Sequence, residues 1–284
     1  MTDFLTASDG VRIAYDDRGS GQPLLCLSGL TRNMGDFEFV LPLAGRCRLI
    51  RMDYRGRGRS DHAPHATYNL MREGQDALEL LDHLGIARTA ILGTSRGGLI
   101  AMGLAGVAKP RLSGVVLNDV GPVIDPGGLA RIFDYVGRQP AAATLDDMAE
   151  RTRAALEADF PGVPLARWRR MMDHWYRPAH PGTEGTGIRL NYDPKLLDAM
   201  KEQTVTGTIT DLWPFFDALD GLPLGAIRGA NSDLLSPATL AEMARRRPDM
   251  LVAEVPDRGH VPFLDEPAAV RLLETFLDRL QDQP

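Results

Sequence analysis

Apolar residues in the first 118 positions follow two alternating patterns. Short apolar runs typical of buried strands are separated by segments whose apolar residues recur every three or four positions, as on one face of a helix. The run PLLCL at Pro23–Leu27 is continuous, as expected of a strand buried on both faces. The predicted strands are 11–15, Pro23–Leu27, 47–52, 89–92 and 112–117, and the predicted helices are 70–84 and 95–108.

The alternation breaks after residue 118 and resumes near residue 222. Roughly 100 residues without a strand signal are too many for a plain connection, and their pattern predicts four helices at 129–137, 145–158, 165–176 and 194–202. The strands 223–227 and Leu251–Val255 follow, with a helix that opens at Ser236-Pro237 and a final helix marked by Val270, Leu273 and Phe276. We therefore expect a core domain formed by residues 1–118 and 222–284, with a helical cap at 119–221 inserted into it.

Strands that alternate with helices predict an α/β fold with a mostly parallel sheet and helices on both faces. Composition agrees with a globular chain, since 44% of the 284 residues are apolar and 25% are charged. The formal net charge of −6 argues against nucleic-acid and membrane-surface partners. We expect no leader peptide, and we find no apolar run of about 18 residues, the length of a membrane-spanning helix. Cys26 and Cys47 lie among apolar residues and are expected to be buried free thiols, which fits a cytoplasmic location.

The candidate nucleophile is Ser95, in the motif G-T-S-R-G at residues 93–97. An apolar strand precedes it and a helix follows, so Ser95 would lie at a helix N-terminus that favours developing negative charge. In this context the chain resembles the α/β-hydrolase family, whose nucleophile occupies such a strand–turn–helix. The helix after Ser95 also contains glycines at 97, 98, 103 and 106, each costing about 1 kcal/mol relative to alanine, which predicts tight packing on the sheet.

Six histidines compete for the role of general base. His62 and His65 lie in a polar loop, His83 lies in a predicted helix, and His174 and His180 lie in the predicted cap. His260 instead follows the last strand, at the sheet edge where ligands bind in such folds. The resemblance implies a catalytic histidine in this loop, often as a Gly-His pair like Gly259-His260.

The acid of the triad has two candidates. The family order of serine, acid and histidine places the acid after a strand between Ser95 and His260. Asp233 follows the strand 223–227, and we prefer it, although its spacing from Gly229 is one residue longer than the family's usual G-x-x-D. Asp119, after the preceding strand, is the alternative, because some members of the family take their acid from that strand end.

The resemblance also implies an oxyanion hole made of backbone N–H groups. One donor would be Arg96, the residue after the nucleophile, and the other Leu30 in the loop after Pro23–Leu27. The family usually has His-Gly in that loop, where this chain has Ser28-Gly29. The segment D-Y-R-G-R-G-R-S at residues 53–60 resembles the family's D-x-R-G-x-G-x-S loop, which we expect to be structural.

Other motifs give no cofactor or metal site. Neither Gly19-x-Gly21 nor Gly56-x-Gly58 follows a strand and opens a helix, as a dinucleotide-binding fingerprint requires. His62 and His65 alone do not make a zinc site. In the cap, Trp168, Trp175 and Trp213 are candidate substrate contacts over Ser95. A substrate carboxylate could bind Arg32 or Arg96, which adjoin the expected oxyanion donors.

The resemblance and these residues predict a carboxylesterase that acts on a small or medium-sized, mostly apolar acyl substrate without a cofactor. A serine nucleophile disfavours the branches of the family that attack with aspartate. A lactonase and a C–C bond hydrolase with the same triad stay open as alternatives. A ligand receptor on this fold is disfavoured by the complete set of candidate residues, and a homodimer is one possible assembly.

Overall fold

A computed structural model describes residues 2–179, 187–205 and 211–281 of the chain. In chain order, the strands in these ranges are β1 (Asp3–Thr6), β2 (Arg12–Arg18), β3 (Pro23–Leu27), β4 (Arg48–Met52), β5 (Thr89–Thr94), β6 (Leu112–Asn118), β7 (Tyr176–Pro178), β8 (Ile188–Leu190), β9 (Leu224–Gly229) and β10 (Leu251–Val255). The helices are α1 (Leu70–His83), α2 (Arg96–Ala108), α3 (Pro126–Tyr135), α4 (Leu145–Leu156), α5 (Leu165–Trp175), α6 (Leu196–Val205), α7 (Trp213–Asp217), α8 (Pro237–Arg246) and α9 (Pro267–Gln281). A 3₁₀ segment at Met34–Gly45 joins β3 to β4.

Eight strands form one sheet in the order β1-β2-β4-β3-β5-β6-β9-β10. The pairs β1–β2 and β2–β4 are antiparallel, and the remaining pairs are parallel. Every residue of β5 and β6 is buried, which explains why these strands read as continuous apolar runs. The structure thus confirms the predicted fold class of a mostly parallel sheet with helices.

Each face of the sheet has its own hydrophobic core. On one face, α1, α2, α7 and α8 contribute side chains such as Leu80, Ile100 and Phe216. On the other face, α9 and the 3₁₀ segment contribute Phe276 and Phe37 among others. The carboxyl ends of the parallel strands are left at one edge of the sheet, where the loops that carry the candidate site begin.

Helix α2 approaches the sheet so closely that two of its glycines have no room for a side chain. A Cβ on Gly97 would overlap the carbonyl oxygen of Leu27 in β3, and a Cβ on Gly98 would overlap the Val120 side chain. An added Cβ on Gly106 would lie 3.1 Å from the Phe215 ring, whereas an added Cβ on Gly103 would meet no atom of another element within 4 Å. The prediction of tight packing is therefore confirmed for Gly97 and Gly98 and wrong for Gly103.

The residues between β6 and β9, which we call the intervening segment (119–223), contain α3 to α7 and the antiparallel pair β7–β8. Helices α4 and α5 pack on each other around an aromatic cluster that includes Phe160 and Trp168. Both ends of the segment join the core: the Asp119 N–H donates to the carbonyl of Ile227 in β9 (2.7 Å), and Phe216 of α7 lies in the core with α2. The elements β7, β8 and α7 were not predicted, because three to five residues are too few to show a periodicity.

Cys26 in β3 and Cys47 just before β4 are buried free thiols, as predicted. Burial raises the pKa of both thiols, so neither has the character of a reactive thiolate. No helix in the three described ranges has both the length and the apolar character that crossing a bilayer requires.

Two glycines of α2 provide a matched test of this packing. We expect Gly103→Ala to raise the free energy of unfolding by about 0.5–1 kcal/mol, because alanine lowers the entropy of the unfolded chain and meets open space. Gly97→Ala should lower it by about 3 kcal/mol or more, because α2 must move off β3. Urea unfolding of both variants measures the difference. Equal effects of the two substitutions would contradict the close approach.

Candidate active site

Ser95 lies at the sharp turn between β5 and α2. Its backbone has φ 51° and ψ −113°, a conformation that a residue with a side chain rarely adopts. The turn is held by the Ser95 N–H, which donates to the carbonyl of Asn118 at 2.9 Å, and by the Ser95 carbonyl, which accepts from the Gly98 N–H at 2.9 Å. The hydroxyl is consequently presented at the N-terminal end of α2, where the helix dipole favours negative charge.

His260 lies in the loop between β10 and α9 and contacts Ser95 directly. The distance from His260 Nε2 to Ser95 Oγ is 3.0 Å, and His260 Nδ1 lies 2.7 Å from Asp119 Oδ2. With a proton on Nδ1 donated to the carboxylate, Nε2 is the acceptor for the serine hydroxyl. The three side chains form one continuous chain of hydrogen bonds.

Asp119 is fully buried at the end of β6, and its carboxylate is well provided with donors. Oδ2 accepts from the Ser232 hydroxyl at 2.7 Å as well as from His260, and Oδ1 accepts from the Gly229 N–H at 2.9 Å. A buried carboxylate is stable when such hydrogen bonds replace those of water. These contacts also fix the orientation of the carboxylate toward the imidazole.

The structure corrects the prediction that Asp233 is the acid of the triad. Both ring nitrogens of His260 already have partners, Ser95 and Asp119, so no nitrogen is left for a second carboxylate. The Asp233 carboxylate instead forms an ion pair with Arg131 of α3, at 2.7 Å, on the protein surface. The predicted pairing of Ser95 with His260 agrees with this geometry.

Strand register explains why Asp119 reaches the histidine. Thr94 of β5 is paired with Asn118 of β6, so the next residue of each strand, Ser95 and Asp119, emerges at the same level of the sheet. Asp233 follows β9, one strand further from Ser95, and lies four residues beyond the end of that strand. Aligning the ends of the two apolar runs before Ser95 and Asp119 would have indicated this choice from the sequence.

The loop after β3 lies beside Ser95, as the oxyanion prediction requires. An added Cβ on Gly29 would be 3.9 Å from Ser95 Cβ. The Gly29 carbonyl accepts from the Arg32 N–H at 3.1 Å and closes a tight turn, and the N–H of Leu30 points away from that turn because the peptide is planar. The Arg96 N–H belongs to the first turn of α2, whose N–H groups have no partner within the helix. Leu30 and Arg96 stay the predicted oxyanion donors.

A cavity of about 610 Å³ opens beside His260 between the sheet edge and the intervening segment. Its walls combine apolar and aromatic side chains with several arginines at its rim. The lining residues include Arg32, Ile132, Tyr135, Met148, Leu156, Phe160, Trp175, Tyr176 and Tyr192. Burial raises the pKa of Tyr192 to about 12, so its hydroxyl is neutral at physiological pH.

Arg32 lies on this wall as an ordered cation. Its guanidinium stacks on the Trp175 ring at 3.3 Å from the centroid, and Trp175 Nε1 donates to Asp36 at 2.8 Å. The other Asp36 oxygen is 3.8 Å from Arg32 Nε, too long for a hydrogen bond. Burial raises the pKa of Asp36, with Arg32 opposing this effect. Arg96 is different, because its side chain donates to buried Glu73 (2.5 Å) and to the Tyr68 carbonyl (3.2 Å), away from Ser95.

The three predicted tryptophan contacts have three different positions. Trp175 lines the cavity, while Trp168 is 2% exposed in the aromatic cluster and borders only a smaller neighbouring cavity. Trp213 is corrected: it lies in α7, where it packs on Phe216 and under Arg246 of α8, far from Ser95. Phe215 of α7 contacts α2 at Gly106, about 16 Å along the helix from Ser95.

The other histidines that the structure describes do not reach Ser95. His65 pairs with Glu202 at 2.9 Å, His83 lies 3.2 Å from the Tyr15 hydroxyl, and His174 pairs with Glu38 at 3.2 Å. His62 lies 3.5 Å from Asp193 on the surface, and His180 lies outside the described residues. Among the residues described, no three His, Cys, Asp or Glu side chains are grouped as a metal site would need.

Known hydrolases are similar to this chain in sequence. The sequence model of the Alpha/beta hydrolase family matches residues 24–271. A 3-hydroxybutyrate-oligomer hydrolase of Cupriavidus necator is 34% identical over 273 residues, which cover 93% of this chain and 92% of the relative. A 2-(acetamidomethylene)succinate hydrolase of Mesorhizobium japonicum is 27% identical and covers 92% of this chain and 90% of its own.

A solved structure shares the fold over nearly the whole chain. The crystal structure of an alpha/beta hydrolase from Novosphingobium aromaticivorans superposes with a TM-score of 0.91 at 37% identity, covering 98% of both chains. A crystal structure of E-2-(acetamidomethylene)succinate hydrolase has a TM-score of 0.81 at 24% identity, with 98% of this chain and 99% of the other covered. These likenesses confirm the fold expected from the motifs.

Labelling of Ser95 by a fluorophosphonate tests which aspartate supports it. Asp119→Asn should slow labelling by a factor on the order of 10³, because the amide cannot hold the same imidazole tautomer. Asp233→Asn is the matched control and should stay within about twofold of the unmodified chain, since it removes only a partly exposed ion pair with Arg131 on the cavity wall. The reverse order of the two rates would restore Asp233 as the acid.

Proposed function

The chain belongs to the alpha/beta hydrolase family, and we propose that it is a serine hydrolase that cleaves carboxylic esters through an acyl-enzyme. The observation that carries this proposal is His260, whose two ring nitrogens bridge Ser95 Oγ and Asp119 Oδ2. A serine at a helix N-terminus with an oriented histidine is the arrangement that acyl transfer requires. The relatives are named hydrolases, which agrees with this class of reaction.

The geometry assigns a role to each group. His260 Nε2 takes the proton of Ser95 as Oγ attacks the ester carbonyl, and Asp119 stabilises the imidazolium through Nδ1–H. The N–H groups of Leu30 and Arg96 would donate to the oxyanion of the tetrahedral intermediate. The alcohol leaves with the proton from His260. Water, deprotonated by the same histidine, then releases the acid from Ser95.

A chain-length series of p-nitrophenyl esters tests the proposal. The wild type should hydrolyse the short and medium esters that fit the cavity, and Ser95→Ala should lower kcat by about 10⁴-fold or more. Asp119→Asn should also lower kcat, by about 10³- to 10⁴-fold.

A wild type that hydrolyses none of these esters would contradict the general esterase. The search would then move to lactones, to vinylogous diketones cleaved at a C–C bond, and to tight binding without turnover.

We further propose that the intervening segment acts as a cap and that the substrate carries a carboxylate. The wall of the cavity that His260 lines comes largely from α3, α4 and the residues around Trp175. Arg32 lies on this wall, stacked on Trp175 and half-enclosed, and its one ion pair among the described residues is with Asp36, at 3.8 Å. An oligomer of a hydroxy acid, the substrate class in the name of one relative, is linked by esters and ends in a carboxylate. Arg32 is placed to bind such an end group bidentately.

Paired substrates test the role of Arg32. With the dimer of 3-hydroxybutyrate as free acid, Arg32→Met should raise KM by about 10- to 100-fold, the value of a lost charge-assisted hydrogen bond. With the methyl ester of the same dimer, KM should change less than about threefold. Arg138→Met is the control, because Arg138 lines the outer part of the same cavity and is largely exposed. An equal loss on both substrates would mean that Arg32 only shapes the cavity.

A further inference from the structure

The two predicted oxyanion donors lie on different parts of the chain, and one buried carboxylate connects them. Glu73 lies in the first turn of α1 and is completely buried. One of its oxygens accepts from Arg96 Nε at 2.5 Å, and the other is 2.8 Å from Arg57 Nη1. Arg96 follows the nucleophile, and Arg57 contacts the loop after β3.

The contact of Arg57 with that loop is direct. Arg57 Nε donates to the carbonyl of Leu30 at 3.0 Å, and Nη1 donates to the carbonyl of Arg55 at 2.8 Å. The Tyr54 hydroxyl donates to the carbonyl of Ser28 at 3.2 Å, so the loop is held on both sides of Gly29. With the turn closed by the Arg32 N–H, the peptide planes on either side of Leu30 are fixed.

The charges explain why Glu73 is needed for this arrangement. Arg57 is 1% exposed and Arg96 is 8% exposed, so two guanidinium groups lie close together out of water. Burial lowers the pKa of Arg57, and proximity to Arg96 lowers it further, while Glu73 opposes both effects. A buried cation without a counter-charge is strongly unfavourable. Glu73 therefore allows both arginines to occupy these positions.

We propose that Glu73 is a positioning residue for the oxyanion hole: through Arg57 and Arg96 it holds the Leu30 and Arg96 N–H groups in a common geometry around Ser95. Glu73 touches neither the substrate nor the reacting atoms. The inference rests on the proposed function, since an oxyanion forms only if Ser95 adds to a carbonyl. It assigns a catalytic consequence to two arginines, one in the 53–60 loop and one beside the nucleophile.

The principal test is Glu73→Gln, measured with a p-nitrophenyl ester. We expect kcat to fall by about 10- to 100-fold, somewhat less than the loss of a whole oxyanion donor. KM should stay within about threefold of the wild-type value. The carbonyl of the bound ester forms weaker hydrogen bonds with these N–H groups than the oxyanion does. The inhibition constant of a trifluoromethyl ketone, which forms an oxyanion on Ser95, should rise by the same factor as kcat falls.

Two further variants separate positioning from folding. Arg57→Lys keeps the positive charge beside Glu73 but loses the Nε donor to Leu30, and should lower kcat by about tenfold with little change in melting temperature. Glu79→Gln is the control on the same helix, because Glu79 lies six residues further along α1 and its contacts are with Ser8, Arg72 and Gln75. It should leave kcat unchanged. Active-site titration corrects every rate for the fraction of folded protein.

The outcomes distinguish this inference from the proposed function. Unchanged kcat in both Glu73→Gln and Arg57→Lys, after that correction, would overturn the positioning role while the esterase stands. A lower kcat with an unchanged ketone affinity would also overturn it. A wild type without ester turnover would overturn the proposed function. In that case ¹⁹F NMR of the ketone adduct still tests Glu73, because the adduct requires only addition of Ser95 to a carbonyl.

Discussion

The alignment of β5 with β6 is the constraint on which the candidate site depends. Because Thr94 and Asn118 are paired across these two buried strands, the residues that follow them leave the sheet side by side. One of these residues is the proposed nucleophile and the other is the proposed acid, and the loop after β10 places His260 between them. The pairing of the two strands, rather than the loops, therefore sets the distance between Ser95 and Asp119.

The segment 53–60 holds the loops at this edge of the sheet in place. The segment 53–60 contacts the loop after β3 through Tyr54 and Arg57, and it contacts the intervening segment where Gly58 donates to Asn191. The carboxylate of Asp53 accepts from the N–H groups of Met34 and Arg59, and burial raises its pKa to about 6. This motif of alternating arginine and glycine thus acts as an internal brace, with Arg55 and Arg57 buried.

Much of this arrangement could be predicted from the sequence, and the exceptions have physical reasons. The elbow at Ser95 and the loop of His260 are local features, since a strand and a helix flank each of them. The acid was harder to choose, because Asp119 and Asp233 both follow buried strands. They differ in how those strands pair and in how directly each aspartate follows its strand. Trp213 was misplaced because aromatic composition does not reveal which face of the molecule a five-residue helix covers. The braces from Glu73 and Arg57 depend on contacts between residues far apart in the chain.

The position of Asp119 also bears on how this scaffold can be altered. The carboxylate belongs to the end of a core strand, whereas the cavity wall begins a few residues later with α3, and α7 has already returned to the core by residue 213. If the intervening segment is the cap that we propose, residues 123–211 are the part to exchange for a change of selectivity, since they contain none of the three proposed catalytic side chains. A graft that starts at 119 would discard the acid together with the wall, and a graft that extends past 213 would open the core beneath α2.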